Sequence, residues 1–398
     1  MAEALKEIKR KTDHAYLFGQ CPPQLFQKAH PEKMIKDHDE DSNDSSEYDI
    51  NKKCLSEIKI HLVQQMKILY LGFKNGNNNL FILTNDELLV VNKSLEFVSC
   101  LQIENLNYIF DPNDDNELKK LFNKFSYKNL IFEIDDCNIF FIGGYYDNSL
   151  KIYFTKNKIH TNLSFALESR ITCLKHIPNT NTFLSGHLNG KIIKWKYDLL
   201  LNKYSNIDAK NSSVIFINKI SSIIGHNSFV QNIEISDELN IIISASNDGF
   251  IFIRKLFDFE LLNVIRYNCN KMSLIDLCLD NQIILATYYN KKEKTNIDKK
   301  IKVNTYSVNG IKLGKVNRNI TIPFKFKDSN DKLFIFINKL LYEVYITFKE
   351  WELVVDLNKL VEKEDKEANI ISFEYDSNMK LIFCLFDNGK LIKINLQM

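Results

Sequence analysis

From about Glu57 to its end, the chain alternates short apolar runs of Ile, Leu, Phe, Val and Tyr with polar turns of Asn, Asp and Gly. Short runs with period-two alternation, punctuated by turn formers, predict strands and hairpins. Five runs share one pattern: "TNDELLVVN" (84–92), "YYDNSLKIY" (145–153), "HLNGKIIKW" (187–195), "SNDGFIFIR" (246–254) and "FDNGKLIKI" (386–394). Each is a polar turn followed by an alternating apolar strand. A second apolar strand stands upstream of three of them, in "NIFFIGG", "NTFLSG" and "NIIISAS".

The repeats recur about every forty residues at their best, stretched by insertions such as "YDLLLNKYSNIDAKNSS" (197–213). A small antiparallel sheet repeated at that period predicts an all-β fold, a seven-bladed β-propeller of WD type. One four-stranded sheet cannot bury both its faces. Sheets packed around an axis bury one another, and closing the ring removes its exposed ends. Blade cores are expected near 64–100, 128–155, 165–198, 220–262, 272–310, 312–357 and 368–398. The last holds three clear strands, so "EIKIHLV" (57–63) is expected to supply the fourth and close the ring.

The best-formed unit runs from Gly225 to Leu262. It opens on Gly225-His226, places Val230 and Ile233 on an inner strand, and turns a hairpin at Asn247-Asp248-Gly249. WD repeats typically bond such a turn Asp to the Gly-His imidazole, which gives His226 and Asp248 a structural reading at the blade corner. Arg254 stands where the eponymous Trp would be. In the preceding unit Trp195 is present, but Asn189 replaces the Asp and no Gly-His pair comes before it. Asp147-Asn148 and Asp387-Asn388-Gly389 are the matching turns of two other blades.

Composition adds exclusions. Lys+Arg 52 against Asp+Glu 50 gives a formal charge of +2, so no global field points to nucleic acid. No CxxC occurs among the eight cysteines, and most sit in strand-like runs, which reads as small buried thiols in a reducing cytosol. Cys173 and His176 lie three apart with no second ligand pair, so no metal site is expected. The start, "MAEALKEIKRKTDHAY", is charged and helical rather than a signal peptide, and no run of eighteen apolar residues codes a bilayer span. Residues 32–55 are dense in Asp, Glu, Ser and Asn, which predicts a flexible acidic linker that cannot offset its ordering entropy by burial.

Two stretches resemble one family. "FGQCPPQLFQKAHP" (18–31) is similar to the C-terminal signature of BEACH domains, commonly FGQTPxQLFxxPHP. Phe18, Gly19, Gln20, Pro22, Gln24, Leu25, Phe26, His30 and Pro31 match it, while Cys21 replaces a usual Thr and Ala29 a usual Pro. Separately, "IGGYYDNSLKIYFTKNK" (142–158) resembles the "GGYWDNSxRxY" blade of the propellers that follow BEACH domains. The order of domain end, linker and propeller is also the family's. The resemblance implies a BEACH remnant over 1–31, an acidic linker over 32–55 and a WD-repeat propeller over 56–398. It further implies the C-terminal portion of a larger protein of the neurobeachin and lysosomal-trafficking-regulator type.

No nucleophile elbow, P-loop, HExxH or dinucleotide fingerprint appears, so neither catalysis nor a cofactor is expected. The favoured expectation is a non-catalytic, cytoplasmic protein-binding scaffold, peripheral to endomembranes. The resemblance places it in vesicle trafficking and membrane dynamics. Tyr145 and Tyr146 are candidate partner anchors, with blade packing as their competing role. Two alternatives stay open. One is a phosphoinositide-binding propeller of autophagy, although the Phe-Arg-Arg-Gly run typical of such proteins is absent; the other is a WD-repeat adaptor of a larger complex.

Overall fold

The structure, a computed structural model, describes residues 55–59, 68–73, 77–103, 127–135, 138–145, 147–155, 162–200, 214–270, 272–280, 282–290, 301–318, 325–327, 332–337, 339–360 and 368–396. All fall within Tyr48–Met398, one of two units into which the chain divides. The BEACH-like segment 18–31 and most of the acidic linker lie outside the described residues.

The described strands form seven four-stranded antiparallel sheets. Blade one is β2–β5 (Ile68–Phe73, Asn79–Thr84, Glu87–Asn92, Phe97–Gln102). Blade two is β6–β9 (Ile131–Ile134, Ile139–Ile142, Ser149–Phe154, Asn162–Ala166). Blade three is β10–β13 (Ile171–His176, Thr182–His187, Lys191–Leu200, Val214–Ile224). Blade four is β14–β17 (Val230–Ser236, Ile241–Ser246, Phe250–Lys255, Leu261–Arg266). Blade five is β18–β21 (Met272–Asp280, Ile283–Asn290, Ile301–Ser307, Lys312–Arg318). Blade six is β22–β25 (Lys325–Lys327, Lys332–Ile337, Leu340–Tyr345, Trp351–Asp356). Blade seven joins β26–β28 (Ile370–Asp376, Leu381–Phe386, Lys390–Asn395) to β1 (Leu55–Lys59), the earliest described strand.

That last pairing closes the ring. β1 runs antiparallel to β28, with Leu55 opposite Ile394 and Lys59 opposite Lys390. The expected closing segment was 57–63; the observed strand begins two residues earlier, and 60–63 lie outside the described residues. Other borders move further. The stretch beginning at Tyr197, expected as an insertion, instead continues β12 to Leu200, and β13 returns to pair with ten of its residues. Likewise β21, expected to open blade six, pairs with β20 and completes blade five. Outermost strands cover the sheet from one side only, so their side chains are mixed. β17 has a single buried position, Ile265, and this dilutes the apolar signal that marks inner strands.

Packing between blades supplies the core. The second strand of each blade is buried on both faces over nearly all its described side chains, as in "IFFI" of β7 and "LIFCLF" of β27. Phe141 of blade two lies 5.6 Å from Phe183 of blade three, Tyr267 of blade four 5.0 Å from Tyr288 of blade five, and Phe336 of blade six 4.9 Å from Phe373 of blade seven. Each such pair contributes about 0.5–1.5 kcal/mol beyond its buried area. Blades seven and one share a cluster that includes Leu71, Ile82, Phe383 and Leu385. Between blades five and six, Thr305 Oγ1 donates to the Ile346 carbonyl at 2.7 Å.

The first strand of each blade runs nearest the axis, and there polar groups meet. Lys128, in a 3-10 turn (Tyr127–Asn129) leading into blade two, places Nζ 2.5 Å from Asp276 Oδ1 of blade five. Those blades are not ring neighbours, so the ion pair crosses the axis. Asn232 of blade four also donates to Asp276 Oδ1 at 3.2 Å. Burial alone would lower the Lys128 pKa, but the Asp276 carboxylate outweighs it and holds the ammonium well above its usual range. Tyr70 donates to Glu374 at 3.1 Å, joining blades one and seven. Lys175 pairs with Glu234 at 2.6 Å, joining blades three and four.

Candidate functional site

The corner of blade four forms as the sequence indicates. Asn247-Asp248-Gly249 connects two apolar strands, and Gly249 takes φ +93°, a conformation that side chains other than glycine rarely adopt. Asp248 Oδ1 accepts from the Phe250 amide at 3.1 Å, and Oδ2 accepts from the Asn227 amide at 3.0 Å. His226 Nδ1 lies 3.0 Å from Asp248 Oδ2, and Nε2 lies 2.9 Å from Ser244 Oγ. A carboxylate only accepts, so Nδ1 carries the proton that faces Asp248. Burial raises the Asp248 pKa, but its hydrogen bonds with His226 and the two amides prevail and hold it below its usual value. Arg254, in the eponymous Trp position, stacks its guanidinium 4.9 Å from the Phe252 ring centre. Phe252 lies in turn 4.7 Å from the His226 ring.

Blade three builds its corner differently. Trp195 Nε1 donates to Ser185 Oγ at 2.7 Å, and Ser185 meets His187 Nε2 at 2.7 Å. His187 Nδ1 then donates to the Ser169 carbonyl at 2.9 Å. His187 therefore takes the imidazole's role from within β11, replacing the missing Gly-His pair. The signal in the sequence was a Ser-x-His triplet across the hairpin from Trp195. Asn189 keeps the turn by accepting from the Lys191 amide at 3.2 Å. Gly190, at φ +78°, accepts from the amides of Gly225 and His226 at 3.0 and 3.1 Å. A Cβ at Gly190 would drive into the His226 carbonyl, so this glycine also sets the spacing between blades three and four.

The remaining turns use the same chemistry. Asp147 Oδ1 accepts from the Ser149 amide at 3.0 Å and from its hydroxyl at 2.6 Å, while Asn148 takes φ 60°. In blade seven Asp387 accepts from the Asn369 amide at 2.9 Å and from its side chain at 3.1 Å. Asn369 thus stands where His226 stands in blade four. Asn388 Oδ1 accepts from the Lys390 amide at 3.1 Å, and Gly389 has φ +85°.

Tyr145 is not a surface anchor. It is 5% exposed, its hydroxyl lies 3.0 Å from that of Tyr153, and Lys151 Nζ sits 4.4 Å from its ring centre. The residue occupies the strand position of Ser246 and His187, which faces the blade interior. Tyr146, like the nine matching residues from Phe18 to Pro31, lies outside the described residues. Cys173 and His176 are not brought together as ligands. Cys173 is buried, its thiol pushed up to about 12 by desolvation, and His176 bonds the Thr180 carbonyl and Tyr197. Among the described residues no group of three or more potential metal ligands gathers.

One cavity of about 210 Å³ lies against the Trp195 network. Alternation along β12 puts Lys191, Ile193 and Trp195 on one face, and that face forms a wall. Lys219 of β13, Glu168 of the loop after β9 and His187 also line it. Lys191 Nζ pairs with Glu168 at 2.9 Å, and Glu168 is 74% exposed. The hydrogen bond from Lys191, followed by the charges of Lys191 and Lys219, lowers the Glu168 pKa.

No family model matches the chain. Among solved structures, a chain in the "Crystal Structure of Mitotic Checkpoint Complex" is similar over 92% of this chain and 99% of that one, with TM-score 0.53 and 11% identity. A likeness at that identity shows the fold alone. The fold is a WD-type seven-bladed β-propeller.

Proposed function

We propose that the chain is a non-catalytic protein-interaction scaffold of the BEACH and WD-repeat type. It would act in vesicle trafficking and membrane dynamics, in the cytoplasm and peripheral to endomembranes. The scaffold part rests chiefly on how blade four uses its chemistry. Ser244, His226 and Asp248 have the connectivity of a hydrolytic triad, yet Ser244 is 0% exposed and His226 3% exposed. No acyl group can reach that hydroxyl, so the three side chains hold a turn. The trafficking part rests on the nine matches between Phe18 and Pro31.

In-cell crosslinking of the tagged full chain, followed by mass spectrometry, tests the proposal. Proteins of membrane traffic are expected to be enriched, with no fluorophosphonate labelling of Ser244. Labelling of Ser244 would overturn the non-catalytic reading. Tight flotation of the purified chain with phosphoinositide liposomes, without protein partners, would replace the scaffold with a lipid reader.

A further inference from the structure

The cavity between blades two and three has the character of a receptor for an acidic side chain. Two lysines, Lys191 and Lys219, line it together with Trp195 and Ile193. The carboxylate already there, Glu168, comes from an exposed loop position and pairs with Lys191 at 2.9 Å, with Lys219 adding its charge. An exposed pair of that kind is weak, because water screens both charges, so an incoming carboxylate can displace it. His187 is spoken for by Ser185 and Ser169, which keeps the cavity floor fixed whether or not it is filled.

The rim is apolar. Leu188, beside the cavity residue Asn189, is 54% exposed, and Ile224, directly opposite Lys191 on β13, is 76% exposed. Surface leucines and isoleucines are ordinary singly, but here two adjoin residues of a cavity lined by two lysines. Complementarity therefore calls for a carboxylate between apolar side chains. We infer that this cavity binds a short peptide segment of a protein partner through a Glu or Asp side chain flanked by aliphatic residues. The inference rests on the scaffold reading and names a docking site within it.

The test uses the full chain with Trp351→Phe, so that fluorescence reports Trp195 alone. The probe is a capped heptapeptide with central Glu and Leu or Ile on either side, beside matched peptides carrying Gln or phosphoserine. The Glu peptide is expected to shift Trp195 emission saturably, to lose at least tenfold in affinity on Glu→Gln, and to weaken with added salt. Lys219→Glu is expected to abolish binding, and the milder Lys219→Gln to weaken it severalfold, while Lys315→Gln on distant β21 changes nothing. Equal binding of the Gln peptide, or an unaltered Lys219→Glu protein of native circular dichroism, would overturn the inference. So would binding of the phosphoserine peptide alone. Crosslinking separates the two levels: if Lys219→Glu retains every partner of the unaltered chain, the docking site is wrong and the scaffold stands. If the unaltered chain enriches no partner, the scaffold reading falls.

Discussion

Lys128 and Asp276 meet at 2.5 Å across the propeller axis, joining two blades that share no edge. Sequence separation between them is 148 residues, so the pair forms only when the ring is assembled. Asp276 is 2% exposed at its side chain and also accepts from Asn232 and the Leu277 amide. Removing one member of a buried pair strands the other, at about 3–5 kcal/mol. Lys128→Met is therefore expected to lower the unfolding free energy, measured by urea denaturation, by an amount in that range. Lys128→Met with Asp276→Asn should cost less than the sum of the single changes, which a double-mutant cycle would measure.

The blade-three corner should make stability depend on pH. Burial is the leading cause that lowers the His187 pKa below its ordinary 6.5. The folded chain then takes up its proton later than the unfolded chain does. The sign follows: this contribution is complete above pH 6.5 and is lost as pH falls through the folded-state value. Its slope within that window is at most about 1.4 kcal/mol per pH unit for one group. A protonated His187 would also press a second donor on Ser185, which already accepts from Trp195. Chemical denaturation at several pH values should show the decline below 6.5, and His187→Gln should flatten that part of the curve.

Asp248 adds a second, more acidic window. Its pKa is held below its ordinary value despite burial, through His226, Asn227 and Phe250, so its stabilisation is present above pH 3.8 and is lost on further acidification. Asp248→Asn should remove this component from the acid-unfolding curve while leaving the His187 component in place.

Gly190→Ala should be far more damaging than a turn substitution ordinarily is. Its φ of +78° disfavours any side chain, and the new methyl group meets the His226 carbonyl of the next blade. A loss of about 1–3 kcal/mol is expected from strain at such a position. Thermal unfolding measures it, and an unchanged midpoint would show that blades three and four are not spaced by this contact.

β1 pairs along one side only, so its consecutive amides alternate between partner and open side. Proline at both Glu57 and Ile58 removes whichever of those two amides bonds β28, without needing to know which one it is. The double variant is expected to expose the β28 edge, which then self-associates, as size-exclusion chromatography would show by a shift to large species.

Much of this architecture was legible in the chain because turns and inner strands carry strong local signals. Asp248-Gly249 marks its hairpin, and the flanking strands carry the apolar runs "III" and "FIFI". The outer strands were harder to place. β13 exposes Phe216, Ile220 and Ile224, β21 reads "KLGKVNR", and β22 is three residues long, so none has a clear period. The corners were legible only where one blade used the common residues. His187 performs His226's task from within β11, announced only by its Ser-x-His triplet, and Asn369 performs it with an amide in place of the imidazole. Tyr145 misled because "YYDNS" resembles an exposed turn, whereas the tyrosine just before that turn still points into the blade. The cavity joins residues 168, 191 and 219 from three elements, which only the folded ring brings together.

Closure of the ring is the claim on which the platform depends, and one covalent probe reads it directly. Ser56 of β1 and Lys393 of β28 are register partners. Antiparallel partners have Cα atoms about 4.5–5.5 Å apart, within the span of a disulfide. Ser56→Cys with Lys393→Cys, oxidised in the native state and mapped by mass spectrometry, should give a disulfide between those two positions and a raised unfolding midpoint. A native, soluble protein in which the two thiols remain free, or pair only with other cysteines, would contradict the closed seven-bladed ring.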